Sequence, residues 1–247
     1  MRLTMKSGLV AVAFVTASAT AGPIFDEPPG GDAGNSLTTA TNVSTTSGTG
    51  SVGLVKGEIK GGSGLVGGGG DFQDLYRIYI ADPLHFSAET LGLDVNNELR
   101  DPMLFLFNEA GHGIMAMNNV GNDNLHAKLV NDDGHGNALF TEAGIYYLAI
   151  TSALSEATVL FGNEIRPLFE MGLPDNQFGQ VVPRGDWAQL SLDGWTPPTD
   201  YENIGLYEIG LNGVESMPVP APAGLALLGL AALSRRRRRC VAVVPGM

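Results

Sequence analysis

The run MLFLF at residues 103–107, bounded by Pro102 and Asn108, decides the architecture. It is apolar on both faces of an extended chain, whereas a half-buried strand would alternate with polar residues. It therefore reads as a central strand, and Asn108-Glu109-Ala110-Gly111 as a hairpin turn leading into Ile114 and Met115. Working outward, LYRIYI at 75–80 places Tyr76, Ile78 and Ile80 on one face. IYYLAI at 145–150, entered through Gly144, is a second strong strand, and LYEIGL at 206–211 groups Tyr207, Ile209 and Leu211. From Val52 onward, short apolar segments alternate with turn-rich stretches, with no long amphipathic helix and no clean repeat. The expected fold class is all-β, a β-sandwich over residues 51–216. Residues 168–185 and 193–203 read as long loops. Residues 22–50, rich in Gly, Ser, Thr and Pro with almost no large apolar group after Phe25, read as a flexible lead-in.

The 247 residues are 44% apolar, enough for a core and too many for wholesale disorder. Their net charge of −12 averages over unlike parts. Arg2, Lys6 and the block 235–239 hold half of the 14 basic residues, at the two ends. Between Asp26 and Glu215, all 26 acidic residues face only seven basic ones, a net charge of −19. Such a body is a poor ligand for phosphate backbones, which argues against nucleic-acid partners.

The first 21 residues have the order of a secretory signal. Arg2 and Lys6 precede the apolar stretch GLVAVAFV at 8–15, and Ala19-Thr20-Ala21 fits the small-x-small rule for cleavage before Gly22. At the other end, 219–239 reads VPAPAGLALLGLAALSRRRRR. Its apolar run at 223–233 would span about 17 Å as a helix, short of the roughly 30 Å hydrocarbon core. Arg235, Arg236, Arg237, Arg238 and Arg239 mark its cytoplasmic side under the positive-inside rule. A short segment suits transient insertion in the inner membrane better than a permanent tail anchor, the competing reading.

Pro220, Pro222, the short apolar helix and the arginine block, in that order, resemble the PEP-CTERM class of bacterial sorting signals. Ala221 stands where that class usually has Glu, and residues 240–247 follow as a cytoplasmic tail. The resemblance covers the sorting signal at 217–239. It implies processing by an exosortase and delivery to the cell surface or extracellular matrix of a bacterium that makes extracellular polysaccharide. Cys240, the single cysteine, lies beyond the arginines, so the exported body has neither a thiol nucleophile nor cysteine-ligated zinc.

Within the body, Asp71-x-x-Asp74-x-Tyr76 opening a strand is followed by Asp101-Pro102 and the MLFLF hairpin. Asn118-Asn119 and Gly144-Ile145-Tyr146-Tyr147-Leu148 complete a set that resembles the bacterial pre-peptidase C-terminal domain over residues 35–152. That resemblance implies a jelly-roll-like sandwich that accompanies enzymes or adheres to surfaces. It carries no catalytic residues across, and nothing before residue 35 has room for a peptidase.

Calcium is the one cofactor the residues suit, because hard cations take oxygen ligands and Asx-rich loops supply them. The candidates are Asp71 with Asp74, Asp123 between Asn122 and Asn124, and Asp132 with Asp133 near Asn137. None has the EF-hand pattern, and ordinary turn chemistry is the competing reading. His85, His112, His126 and His135 show no metal-binding spacing. Ser63 lacks the second glycine of a nucleophile elbow, since Leu65 stands there, and no phosphate-loop or dinucleotide fingerprint appears. Arg184-Gly185-Asp186 reads as a turn before Trp187. Trp187, Trp195 and Tyr201 either stack on sugar rings or plug the sandwich edge.

The expectation is an exported, non-catalytic surface or matrix protein that adheres or associates with extracellular polysaccharide. The competing class is a secreted hydrolase, or its accessory module, working through carboxylates. A third reading is a purely structural coat component.

Overall fold

The computed structural model describes residues 23–27, 31–62, 70–93, 95–121, 124–169, 171, 179–198 and 202–217. The leader, with Ala19 and Ala21, and the sorting segment, with Pro220, Pro222 and the five arginines, lie outside them. So do Asp123, Ser63 and Tyr201. Among the described residues no helix is long and apolar enough to cross a membrane.

Fourteen strands carry the described fold: β1 (Ile24–Asp26), β2 (Thr41–Asn42), β3 (Leu54–Ile59), β4 (Gln73–Ile80), β5 (Ser87–Leu91), β6 (Pro102–Asn108), β7 (Gly113–Met117), β8 (Lys128–Val130), β9 (Gly144–Ser152), β10 (Ala157–Phe161), β11 (Glu164–Pro167), β12 (Gly194–Trp195), β13 (Gly205–Asn212) and β14 (Val214–Glu215). Among the described residues, helical turns are confined to two short 3₁₀ pieces, Pro83–His85 and Gly185–Trp187. The class is all-β, as expected.

One sheet has the order β1-β3-β13-β5-β8, and a second runs β14-β4-β9-β6-β7 with β2 also on β4. Their facing sides enclose the larger core. Val55, Ile59, Tyr207, Ile209 and Leu211 come from the first sheet, and Tyr76, Ile78, Ile80, Leu104, Leu106, Leu148 and Ile150 from the second. The period-two sets at 75–80 and 206–211 thus meet across the sandwich. Between β13 and β14 the chain crosses from one sheet to the other at Gly213, whose φ of 73° is left-handed and where a Cβ would strike the Asp82 carbonyl.

A third layer explains MLFLF. A small sheet, β11-β10-β12, and the loops around it cover the outer side of the second sheet. There Leu75, Met103, Phe105, Phe107 and Ala149 meet Ala157, Val159, Leu168, Phe169 and Leu192. Trp195 packs edge-on to Phe105 and Phe107, with ring centroids 5.5 and 6.2 Å away. Both faces of β6 are therefore buried, and each fully buried Phe contributes about 1.5–3 kcal/mol by leaving water. Within the stretches expected as loops at 168–185 and 193–203, the described residues hold one two-residue strand, β12. Their apolar residues nonetheless close this second core.

The lead-in differs from expectation. β1 pairs in parallel with β3, and β2 pairs in parallel with β4, so this segment adds one strand to each large sheet. Ala33 and Val43 are fully buried. Backbone pairing, which composition does not report, builds this Gly- and Ser-rich segment into the fold. Glu27 and Asp32, from this segment, come close to Asp74.

Candidate cation site

β4 alternates faces, so Asp74 shares the inter-sheet side with Tyr76, Ile78 and Ile80, and it is fully buried. Across from it, the Tyr207 hydroxyl on β13 donates to Asp74 Oδ2 at 2.6 Å. The Tyr76 hydroxyl is hydrogen-bonded to that of Tyr207, giving a buried chain from Tyr76 through Tyr207 to Asp74. Gly57 on β3 lies directly opposite Tyr207, and a Cβ there would collide with both phenol oxygens. The absence of a side chain at 57 is what makes room for the chain.

Asp71 arrives through a backbone bridge with Gly61, and Asp32 comes from the segment between β1 and β2. One oxygen from each of Asp32, Asp71 and Asp74 lies within 4.8 Å of the others. Among the described residues, this is the one group of three or more metal-capable side chains that converges in this way. Glu27 stands close by and, like Asp32 and Asp71, acts electrostatically on Asp74. Some oxygens are held: the Glu58 amide donates to Glu27 Oε2, the Lys60 amide to Asp71 Oδ2, and the Gly34 amide to Asp32 Oδ1. Three are not. Glu27 Oε1, Asp71 Oδ1 and Asp74 Oδ1 are buried without a protein hydrogen-bond partner.

The electrostatics agree with the geometry. Burial, more than any other cause, pushes the Asp74 carboxyl up to about 8. The hydrogen bond from Tyr207 pulls it back only in part, and the negative charges of Glu27, Asp71 and Asp32 raise it further. Asp71 and Glu27 are also raised, each chiefly by burial, although Lys60 lowers both. The phenols of Tyr76 and Tyr207 lie well above their ordinary range for the same reason. A carboxylate charged at such a place costs several kcal/mol unless a cation meets it. The donor set is all oxygen. Oxygens 4.8 Å apart or less can share one ion at calcium's usual ~2.3–2.6 Å, so the residues fit that group.

Asp132 and Asp133 sit elsewhere, in the loop after β8. Asp132 Oδ1 accepts from the Gly134 and Gly136 amides, and Asp133 Oδ1 from those of His135 and Asn137. The Asn137 side chain donates to Asp133 Oδ2 at 2.9 Å, and these bonds lower the Asp133 carboxyl below its usual range. They cap turns, and the structure does not bring them together with Asp71 and Asp74 as a ligand group.

The sequence indicates Asp71 and Asp74 through their spacing ahead of a strand. It gives no signal for Glu27 and Asp32, which belong to the lead-in, and none for Tyr207, which is far along the chain. Of the histidines, His85 pairs with the exposed Asp82. Trp195 is a plug, as its ring contacts and the bond from Nε1 to the Asn35 carbonyl show. No protein-family model matches this chain, and no curated protein matches it either.

Proposed function

We propose that this chain is an exported surface or matrix protein without catalytic activity, with a calcium ion fastening its N-terminal segment to the sandwich. The observation that carries the calcium is Asp74, fully buried with an orphaned oxygen among Glu27, Asp32 and Asp71. An ion there would neutralise charges drawn from the N-terminal segment and from the approach to β4, and so lock the two together. The chemistry it supplies is electrostatic cross-linking.

Export is supported by the leader at 1–21, and matrix destination by the PEP-CTERM-like segment at 217–239, an exosortase being the processing partner. The body is read as a jelly-roll-like sandwich akin to the pre-peptidase C-terminal domain, whose role here is adhesion or polysaccharide association. Two experiments test the proposal. Calorimetric titration should find one calcium ion per chain, released by chelator and accompanied by a higher melting temperature. Cell fractionation with mass measurement should find ends near residues 22 and 219; a cytosolic protein still beginning at Met1 would defeat the export reading.

A further inference from the structure

The hairpin of β10 and β11 stands over the 3₁₀ turn Gly185–Trp187, and between them lies a cleft of about 550 Å³. Strand pairing sets one wall. Phe161 lies opposite Glu164 and Val159 opposite Arg166, so Phe161, Glu164 and Arg166 share one side of the hairpin. The turn supplies Arg184, Asp186 and Trp187 as the other wall. The Phe161 and Trp187 rings are 6.3 Å apart and inclined at 46°, so they open as a shallow V.

We infer that this cleft binds a neutral hexopyranose chain, an inference that rests on reading the protein as a matrix component. Three observations carry it. Phe161 is 50% exposed on a short surface hairpin, where burial in the core gives no reason for so large an apolar ring. Trp187 is fixed from two sides, because it packs against the second core and the Arg184 guanidinium lies 5.0 Å above its ring. A fixed aromatic platform loses little freedom when the C–H face of a sugar stacks on it. Finally, Arg166 and Glu164, ion-paired with each other on β11, and Arg184 and Asp186 on the turn line the same cleft and offer donors and acceptors that suit sugar hydroxyls. These four charges cancel inside a body of net −19, which favours an uncharged chain over a polyuronate. The cleft lies within the ~300–1,000 Å³ range of ligand sites.

The test is titration of the protein, isolated from its producing cells, with cellohexaose, mannohexaose and a hexauronate, read by tryptophan fluorescence and calorimetry. Saturable binding of a neutral hexaose is expected, weakened at least about fivefold in Phe161→Ala and in Trp187→Ala, and less in Arg166→Gln. Trp187→Ala also touches the second core, so Phe161→Ala, at a half-exposed position, decides if that variant melts early. Failure of both neutral hexaoses to saturate by millimolar concentration overturns the inference. So does preference for the hexauronate, or unchanged affinity in Phe161→Ala. Continued retention of Phe161→Ala and Trp187→Ala on the cells' own matrix would overturn the cleft alone, whereas a cytosolic location would overturn the matrix reading.

Discussion

The molecule has two aspartate pairs that look alike in sequence, and they do opposite things. Asp132 and Asp133 follow β8 in a loop where backbone amides and Asn137 meet their oxygens, and the Asp133 carboxyl is held low. Asp71 and Asp74 precede and open β4, where burial raises both and each keeps an orphaned oxygen. A carboxylate served by its own loop has little reason to seek a cation. One stranded between sheets beside other carboxylates has every reason. The contrast comes from what the rest of the fold brings to each pair, not from the pair itself.

The sharpest way to break the contrast is pH. Without calcium, Asp74 holds its proton in the folded state up to about 8, while the unfolded carboxyl loses it near 4. The native state therefore binds more protons across that window. The stability that Asp74 contributes is fully present below about pH 4, falls as pH rises, and is lost above about pH 8. The raised Asp71 and Glu27 push in the same direction. The expected loss is several kcal/mol, seen as a falling melting temperature in chelator between pH 4 and pH 8. Calcium should flatten the slope and release protons on binding, most strongly near neutral pH. A chelated protein whose stability rises over that window would remove the basis of the site.

Next in size is the ion's own contribution, about 2.7 kcal/mol at a hundredfold excess over its dissociation constant. Asp74→Asn keeps an acceptor for Tyr207 and removes the buried charge. It should abolish the calcium-induced rise in melting temperature while making the calcium-free protein more stable than wild type at pH 8. A variant less stable in both conditions would point to packing rather than charge. Smaller again is Gly57→Ala, which drives a methyl group into the Tyr76 and Tyr207 hydroxyls. The expected cost is about 1–3 kcal/mol by denaturant unfolding, with calcium affinity falling because Tyr207 positions Asp74.

Much of this fold is legible in the sequence, because its strands carry period-two or doubly apolar patterns. Tyr76, Ile78 and Ile80 face Tyr207, Ile209 and Leu211 as their spacing implies. MLFLF announces a strand buried on both sides, but not what buries its second side. Phe169, Leu192 and Trp195 lie in segments with no periodicity, and only their tertiary position makes them core. The candidate site divides in the same way. Asp71 and Asp74 are close in sequence and visible there. Glu27 and Asp32 sit in a segment whose composition reads as linker, and parallel pairing with β3 and β4 is a long-range event that no local pattern encodes. The two aspartate pairs could not be ranked from sequence for the same reason, since orphaned oxygens are a property of surroundings.

The smallest expected effect sharpens the comparison from the other side. Asp133→Ala removes the acceptor for the His135 and Asn137 amides and the partner of the Asn137 side chain, all within one exposed loop. The rise in melting temperature on adding calcium should be unchanged. Amide exchange should quicken at His135 and Asn137 while core amides such as those of β9 stay protected. In the wild type the pH sign is reversed relative to Asp74. The Asp133 carboxyl is lowered on folding, so its support is present above the unfolded value near 4 and fades as pH falls through the lower folded value. Exchange at those two amides should therefore lose protection only in acid, beyond the intrinsic pH trend of amides in unstructured chain. If Asp133→Ala instead weakens the calcium response as strongly as Asp74→Asn, the loop is a ligand source too, and burial is not what separates the two pairs.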